Sequence, residues 1–213
     1  MPKSAFTLDG FRAWVLSDDF PEGVKASFID GEVFFEMSPE SLETHLKVKQ
    51  KLTAVLVTIA DDESLGEAYA DGALLTNEEA GISTEPDMCF ATWKTLESGK
   101  LRKLPREGAP DDSVELIGVP DLVVEVVSKS SVKKDRRELH QKYARAGISE
   151  YWIIDARKKA IQFEILRLEG GRYVSSAPAD VPQPSLVLGR QFVLLRSKNR
   201  IGHWTYRFEI TNL

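Results

Sequence analysis

The sequence has one cysteine, Cys89, in 213 residues. A single thiol excludes an intrachain disulfide and a zinc site built from several thiolates, and it favours a reducing compartment. No run of about 18 apolar residues occurs, so no segment is typical of a transmembrane helix. The first residues, MPKSAFTLDGF, contain no apolar signal-peptide core. We therefore expect a cytoplasmic protein that does not bind membranes.

Positive charge is not in excess either. Lysine and arginine number 28 against 33 aspartates and glutamates, which gives a formal net charge of −5. This balance argues against a global positive field that would draw the protein onto nucleic acid, but it is compatible with a local basic patch. Apolar residues make up 42% and charged residues 29%, as in ordinary globular proteins. A chain of this length can build one sizeable core, so we expect a single domain over residues 1–213.

The apolar pattern predicts an N-terminal hairpin followed by a helix. Asp30-Gly31 separates two alternating segments, which is a strong signal for a β-hairpin over residues 25–37. Ser38-Pro39 suits the N-cap and first position of a helix that runs to about Ala60. Further predicted segments are a strand at residues 66–76, a strand at 85–93 and a polar surface excursion at 98–113.

The stretch from Val119 to Asp155 has the clearest pattern: strand, basic turn, helix, tight turn and strand. Its first strand, residues 122–127, contains five apolar residues and Glu125. Its helix begins near Lys134 and ends before Gly147, a residue type typical of the position after a helix. The crossover is long enough to join parallel strands. The predicted fold class is α/β, or α+β, with a central mixed sheet, flanking helices and extra β-hairpins.

Four acidic residues lie in or beside apolar strands or next to a tight turn: Glu32, Asp87, Asp121 and Glu125. A carboxylate is costly to bury without a partner, so such acids point to a metal ion, a lysine or solvent. Oxygen ligands of this kind suit Mg²⁺ or Mn²⁺, which also bind phosphate oxygens. A bound ion would polarise a phosphate and lower the pKa of a water molecule.

A lysine near these acids would stabilise the negative charge that develops on phosphorus. Lys142 is the first candidate because it lies on the helix that directly follows the acidic strand, and Lys129 is the second. A structural ion pair between Glu125 and Lys142 would use the same two residues and remains an alternative.

Several segments together resemble one family. DGEVFFEMSP, a helix beginning near His45, EPDMCF, VPDLVVEVVS and the pattern D-x6-K-Y-A-R-A-G-I-x-E-Y-W-I-I-D are similar to the Uma2 (DUF820) endonucleases of the restriction-endonuclease-like, PD-(D/E)XK superfamily. The resemblance covers roughly residues 25–170, and residues 119–155 are its most specific part. It implies a core of order α-β-β-β-α-β, with C-terminal strands added over about residues 171–213.

The resemblance also implies an activity: metal-dependent hydrolysis of nucleic-acid phosphodiester bonds, with DNA as the expected substrate. Asp87 matches the aspartate of the PD motif and Glu125 matches the acid of (D/E)XK. Glu32 is similar to an extra acid near the first core helix, so these three are the expected metal ligands. Asp121 is expected to assist them.

One position departs from the family pattern. Val127 stands where the lysine of (D/E)XK usually lies, and Lys142 matches a position to which related families relocate that lysine. The departure motivates an alternative function, a catalytically inert nucleic-acid or protein binding module on a degenerate nuclease fold.

Five basic residues cluster at the start of the helix that follows Glu125, where cations are unfavourable for the helix dipole. They are Lys129, Lys133, Lys134, Arg136 and Arg137. We expect this cluster to bind the phosphate backbone of DNA, although an ordinary solvated helix face would show the same charges. A homodimer is expected only by analogy with enzymes that cut both strands.

Simpler interpretations stay open for three of the candidates. Asp121 follows Pro120 and could cap a turn, and Glu32 lies beside a hairpin turn and could be solvated. His45 suits the start of a helix more often than a ligand position.

Overall fold

The computed structural model describes residues 1–36, 39–106, 108–178 and 180–213. The α-helices in these residues are α1 (Leu8–Val15), α2 (Lys47–Asp62), α3 (Trp93–Glu97) and α4 (Leu139–Ala146). The strands are β1 (Lys25–Ile29), β2 (Glu32–Glu36), β3 (Gly66–Ala70), β4 (Leu74–Asn77), β5 (Ile82–Thr84), β6 (Met88–Thr92), β7 (Leu101–Arg106), β8 (Ala109–Gly118), β9 (Leu122–Val126), β10 (Glu150–Asp155), β11 (Gln162–Glu169), β12 (Arg172–Ser175), β13 (Gln183–Ser185), β14 (Arg190–Lys198) and β15 (Trp204–Asn212).

The strands form three sheets. The first has the order β2-β1-β5-β4-β8-β7, the second β12-β11-β10-β9-β6-β3, and the third β13-β14-β15. In the second sheet β9 and β10 are parallel, as the crossover predicts, while β6 is antiparallel to β9. The elements α2, β3, β6, β9, α4 and β10 give the predicted order α-β-β-β-α-β. The predicted fold class is confirmed, and the first sheet is the part that the sequence did not indicate.

Local signals explain several element boundaries. Asp30 and Gly31 both have positive φ angles, 54° and 87°, so the turn between β1 and β2 follows the strand twist. Gly147 has φ 80° and ends α4. The Ser38 cap predicted for the following helix lies outside the described residues. Instead, the Ser41 side chain accepts a hydrogen bond from the Thr44 backbone N–H and caps a π-type turn that precedes α2.

The segment predicted as one strand at residues 66–76 is two strands in two different sheets. The chain turns at Asp71-Gly72, where Gly72 has φ 94°, a conformation that favours glycine. This turn carries the Asp71 side chain to the ends of β1 and α2, where it contacts Lys25 and Lys49. The predicted excursion at 98–113 is largely the β7–β8 hairpin.

Both faces of the second sheet are buried. On β9, Leu122, Val124 and Val126 pack against α2 and the third sheet. Val123 lies on the opposite face, against α4 and the first sheet. Because side chains alternate along a strand, Glu125 points to the same face as Val123. Among the described residues, no helix is both long and apolar enough to cross a membrane.

Candidate active site

The site is centred on Asp87, the residue immediately before β6. Met88 pairs with Val124 in the antiparallel β6–β9 ladder, so Asp87 lies opposite Glu125. The Asp87 residue is 5% exposed, and its Oδ2 accepts a hydrogen bond of 2.7 Å from the Val126 backbone N–H. The sheet therefore brings together the two acids that the sequence placed in the PD and (D/E)XK motifs.

Two lysines from different elements contact the other oxygen of Asp87. Lys25 Nζ, at the start of β1, lies 3.4 Å from Asp87 Oδ1, and Lys49 Nζ, on α2, lies 3.2 Å from it. Asp71 joins the two lysines, with its oxygens 2.8 Å from Lys25 Nζ and 2.7 Å from Lys49 Nζ. Burial would raise the pKa of Asp87, but Lys25, Lys49 and His45 hold it below its usual value. The carboxyl group is therefore ionised in the folded protein.

His45 and Glu40 lie on the other side of Asp87. His45 Nε2 is 2.6 Å from the Val126 carbonyl oxygen, so this nitrogen carries a proton and donates it. The buried Nδ1 lies 3.1 Å from Glu40 Oε2 without the alignment of a hydrogen bond. Glu40, His45 and Asp87 each have one possible metal-ligand atom that lies within 4.8 Å of those of the other two. These three residues could hold a metal ion.

Glu125 occupies a more negative environment. Tyr143 on α4 donates a hydrogen bond of 2.8 Å to Glu125 Oε1, and Thr84 lies 3.2 Å from the same hydroxyl. Burial raises the pKa of Glu125 well above its usual value, and the charges of Asp135 and Asp87 add to this effect. A cation near Glu125 would restore its ionised form, because opposite charge favours ionisation.

Asp135 is the second acid on this face. Burial raises its pKa to about 7, although Lys134 and the Ser131 hydroxyl act in the opposite direction. Its Oδ1 is buried and has no hydrogen-bond partner among the described residues. In the sequence, Asp135 is the first residue of the family pattern D-x6-K-Y-A-R, but no role was predicted for it.

The lysine that acts on Glu125 differs from the predicted one. Lys134, in the turn before α4, pairs with Glu36 and is one of the cations that lower the pKa of Glu125. Lys142 was expected to reach this strand, but its Nζ lies 2.9 Å from Asp30 Oδ1 in the β1–β2 turn. Successive residues on a helix point about 100° apart, so the inward position of Tyr143 turns Lys142 toward the hairpin.

Two predicted acids also lie away from Asp87. Glu32 is exposed at the turn end of β2, opposite Ile29, and Glu36 at the other end of this strand is the acid that reaches Lys134. Asp121 is four residues from Glu125, about 13 Å along an extended strand. Its carboxylate accepts hydrogen bonds of 2.8–2.9 Å from Thr92 and Thr95 at the start of α3. These contacts agree with the interpretation of Asp121 as a cap.

A cleft of about 1160 Å³ opens beside these residues. Its polar lining includes residues of the Asp87 network and two cations from the loops after β9 and β10: Lys25, Glu36, Glu40, His45, Asp71, Lys129 and Arg157. Asp87 and Glu125 are buried, and Asp87 contacts Lys25 and His45 of this lining. The cleft is large enough for several groups of a polymeric ligand.

Residues 8–196 match the model of the Uma2 family, which is described as "Putative restriction endonuclease". The chain belongs to the Uma2 family. The crystal structure of "a putative nuclease belonging to DUF820 from Anabaena variabilis ATCC 29413" is similar in fold, with a TM-score of 0.63 and 17% sequence identity. The match covers 85% of this chain and 90% of that chain. No curated protein matches the sequence.

In this Uma2 chain the predicted basic cluster divides. Lys129 lines the cleft, and Lys133 and Arg137 are exposed. Lys134 is buried against Glu36, and Arg136 lies 3.6 Å from Glu164. Three of the five cations are thus exposed or line the cleft, although Lys133 and Arg137 lie 3.7 and 4.0 Å from Glu138 Oε1.

Several residues of this candidate site were not predicted from the sequence, chiefly Lys25, Lys49, Asp71 and Glu40. For Lys49 a signal exists: His45, Lys49, Leu52 and Leu56 lie at helical spacing, and all four are buried. A lysine and a histidine on an apolar helix face indicate buried acidic partners. Lys25 and Asp71 have no comparable signal, because each lies at the end of a short strand.

Proposed function

We propose that this chain is a metal-dependent endonuclease that hydrolyses phosphodiester bonds of DNA. The observation that carries the proposal is the position of Asp87. This ionised carboxylate adjoins Glu125 on the neighbouring strand and lies close to Glu40 and His45, which line the cleft. Membership of the Uma2 family supports a nuclease, and the cations Lys25, Lys129 and Arg157 in the cleft suit a phosphate backbone.

The residues present fit a divalent cation. Asp87, Glu40 and His45 are the proposed ligands, with Glu125 as a second carboxylate beside Asp87. Within the part of the chain that the structure describes, the buried His45 Nδ1 has no hydrogen-bond partner and faces the Glu40 carboxylate, an arrangement that a cation between them would satisfy. Carboxylates suit Mg²⁺ and Mn²⁺, whereas an imidazole ligand is more typical of transition metals than of Mg²⁺. When bound, the ion would polarise the phosphate and lower the pKa of a water molecule.

The protein's own groups prepare the site. Val126 N–H orients Asp87, and the Tyr143 hydroxyl orients Glu125. Lys25 lies on the cleft wall between Asp71 and Asp87, and we propose that its ammonium group stabilises negative charge on the phosphate. Burial would lower the pKa of Lys25, but Asp87, Glu125 and Asp71 raise it overall, so the group stays charged.

The test is a cleavage assay with supercoiled, linear and single-stranded DNA in Mg²⁺, Mn²⁺ or EDTA. We expect cleavage with either ion and none in EDTA. The cleavage rates of D87N and E125Q should each fall by about 100-fold or more, as expected when a metal site is damaged. E169Q alters an exposed β11 carboxylate that contacts Arg167 and is the matched control, with wild-type cleavage. Cleavage that persists in EDTA or in D87N contradicts the proposal, and faster cleavage of RNA would change only the substrate.

The second candidate is the inert binding module. It is favoured by one observation: Lys25 and Lys49 neutralise Asp87 without any ion, so the site is electrostatically balanced as it stands. This function predicts duplex binding by the wild type, no cleavage in any ion, and equal duplex affinity for D87N.

A further inference from the structure

A second concentration of positive charge lies at one end of the third sheet. It combines the turn after β10 with the β14–β15 hairpin, and its four exposed cations are Lys158, Lys159, Lys198 and Arg200. No acidic residue occurs in residues 156–161 or 196–207. In a chain of net charge −5, four cations without interspersed acids form a strong local contrast. We call these four residues the hairpin patch.

Arg196 holds the two segments of the hairpin patch together. Its guanidinium donates hydrogen bonds of 2.9 Å to the carbonyl oxygens of Ala156 and Lys158. It also stacks on the Trp204 ring, 4.2 Å from the ring centroid, and Lys198 Nζ lies 3.4 Å from the same centroid. The backbone of the turn after β10 and the Lys198 side chain are therefore held in place before any ligand binds, which lowers the entropic cost of binding.

Nearby acids are already neutralised. Glu43 accepts hydrogen bonds from the Trp204 backbone N–H and from Lys47 Nζ, the latter at 2.7 Å. Asp155 pairs with Arg157, with 2.7 Å between Nη2 and Oδ2. Neither carboxylate cancels the charge of the four exposed cations.

The hairpin patch is continuous with the cleft. Arg157 precedes Lys158 in the chain, lines the cleft, and donates a hydrogen bond of 3.1 Å to the Ser128 carbonyl oxygen. Ser128 and Lys129 also line the cleft. A polyanion that leaves the cleft past Lys129 and Arg157 would therefore meet Lys158 next.

We propose that the hairpin patch binds the phosphate backbone of duplex DNA outside the cleft, at nucleotides that flank the cleaved bond. The proposal rests on the proposed function for its choice of ligand. Continuity with the cleft favours a polymer with regularly spaced phosphates over an anionic lipid surface. The patch adds affinity and orientation, and the Asp87 site performs the chemistry.

The test measures DNA binding apart from cleavage, by fluorescence anisotropy of a labelled duplex in EDTA over a range of salt concentrations. The patch variant is K158A/K159A/K198A/R200A. The control, K3A/K94A/K100A/R102A, removes four exposed cations from other elements and changes the net charge equally. Each phosphate contact contributes about 0.9 to the slope of log K against log salt, so the patch variant should lose about 3 to 4 units of slope. Its dissociation constant at 0.1 M salt should rise more than tenfold, and that of the control should rise less than threefold.

The outcomes separate the two proposals. Equal weakening in both quadruple variants, or no duplex binding by the wild type, overturns the hairpin patch. If the patch variant loses binding to vesicles of anionic lipid but binds the duplex as the wild type does, the proposal is overturned in favour of a membrane ligand. Duplex binding that depends on the hairpin patch, without cleavage in any ion, supports binding by the patch and contradicts the proposed nuclease activity. The single variant K198E should weaken duplex binding in the same direction, and melting curves verify that each variant is folded.

Discussion

Asp87 is ionised although only 5% of the residue is exposed, because it shares its two oxygens among several partners. Oδ1 faces Lys25 and Lys49, and Oδ2 accepts the Val126 N–H. Removal of one partner from such a buried network leaves an uncompensated charge, which is far more costly than the net value of the intact network. We therefore expect the substitution of any one partner to destabilise the whole cluster.

A substitution of Asp121 distinguishes its two possible roles, as a cap of α3 or as an acid that assists the metal ligands. D121A removes the acceptor for Thr92 and Thr95 at the start of α3, and we expect the free energy of unfolding to fall by about 1–2 kcal/mol. The measurement is denaturant unfolding, combined with cleavage rates per folded molecule. T95V, which removes one of the same hydrogen bonds, should destabilise in the same direction by a smaller amount. A large loss of cleavage at unchanged stability would instead support the assisting role predicted from the sequence.

The candidate residues were predictable where a charged side chain occurs in or beside an apolar strand. Glu125 stands in an apolar strand and Asp87 precedes one, so both acids demand a partner whatever the fold. The lysine was not predictable in the same way. Position along α4 gives the spacing of Lys142 but not the rotation of the helix about its axis, and that rotation directs Tyr143 rather than Lys142 to Glu125. The catalytic roles of Glu32, Asp121 and Lys142 stay predictions.

Strong local signals were sufficient to predict where several elements begin and end. They were not sufficient to predict which strands pair with each other. The Asp30-Gly31 turn and the Gly147 terminus need only a positive φ angle, which the residue type indicates. The assignment of β3 and β4 to different sheets depends on partners far along the chain, since β4 pairs in parallel with β8. No periodicity within residues 66–76 carries that information. The first sheet was missed for this reason.

Glu150 attaches the C-terminal part of the chain to β10. Its Oε1 accepts hydrogen bonds from the backbone N–H groups of Leu186 and Val187, and its Oε2 accepts from Ser185 Oγ and Trp152 Nε1. E150A leaves these buried donors without an acceptor, so we expect a loss of about 3–5 kcal/mol in the free energy of unfolding. E150Q retains one acceptor oxygen and should lose less. Chemical denaturation gives the values, and equal stability of E150A and the wild type would contradict this clamp.

The molecule as a whole has the second sheet at its centre, with both faces covered by other elements. A few of its acids, including Asp87, Glu125 and Asp135, are buried in the interior, whereas the cations of the hairpin patch are exposed. A net charge of −5 therefore coexists with a surface suited to a polyanion. Composition alone does not reveal this separation, because it depends on which side chains the fold buries.

The buried acids also make the stability of the whole molecule depend on pH. The pKa of Asp135 rises from an ordinary value of 3.8 to about 7 in the folded protein, so the native state binds more protons than the unfolded state in this interval. The stabilisation from its protonated form is complete below pH 3.8 and is lost as pH rises through about 7. The pKa of Glu125 is shifted in the same direction, chiefly by burial, and that of Asp87 is shifted in the opposite one.

D135N should therefore become more stable relative to the wild type as pH increases. We expect little advantage at pH 4 and an advantage on the order of 2 kcal/mol at pH 8, since each pKa unit corresponds to about 1.4 kcal/mol and the shift is shared with Glu125. Denaturant unfolding in EDTA at both pH values measures the difference, and the asparagine still accepts the Ser131 hydroxyl hydrogen bond. D112N changes an exposed carboxylate that contacts Arg106 and should show no such trend. A constant difference between D135N and the wild type across this interval would mean that Asp135 titrates alike in the folded and unfolded chains, and the negative environment assigned to Glu125 would then be wrong.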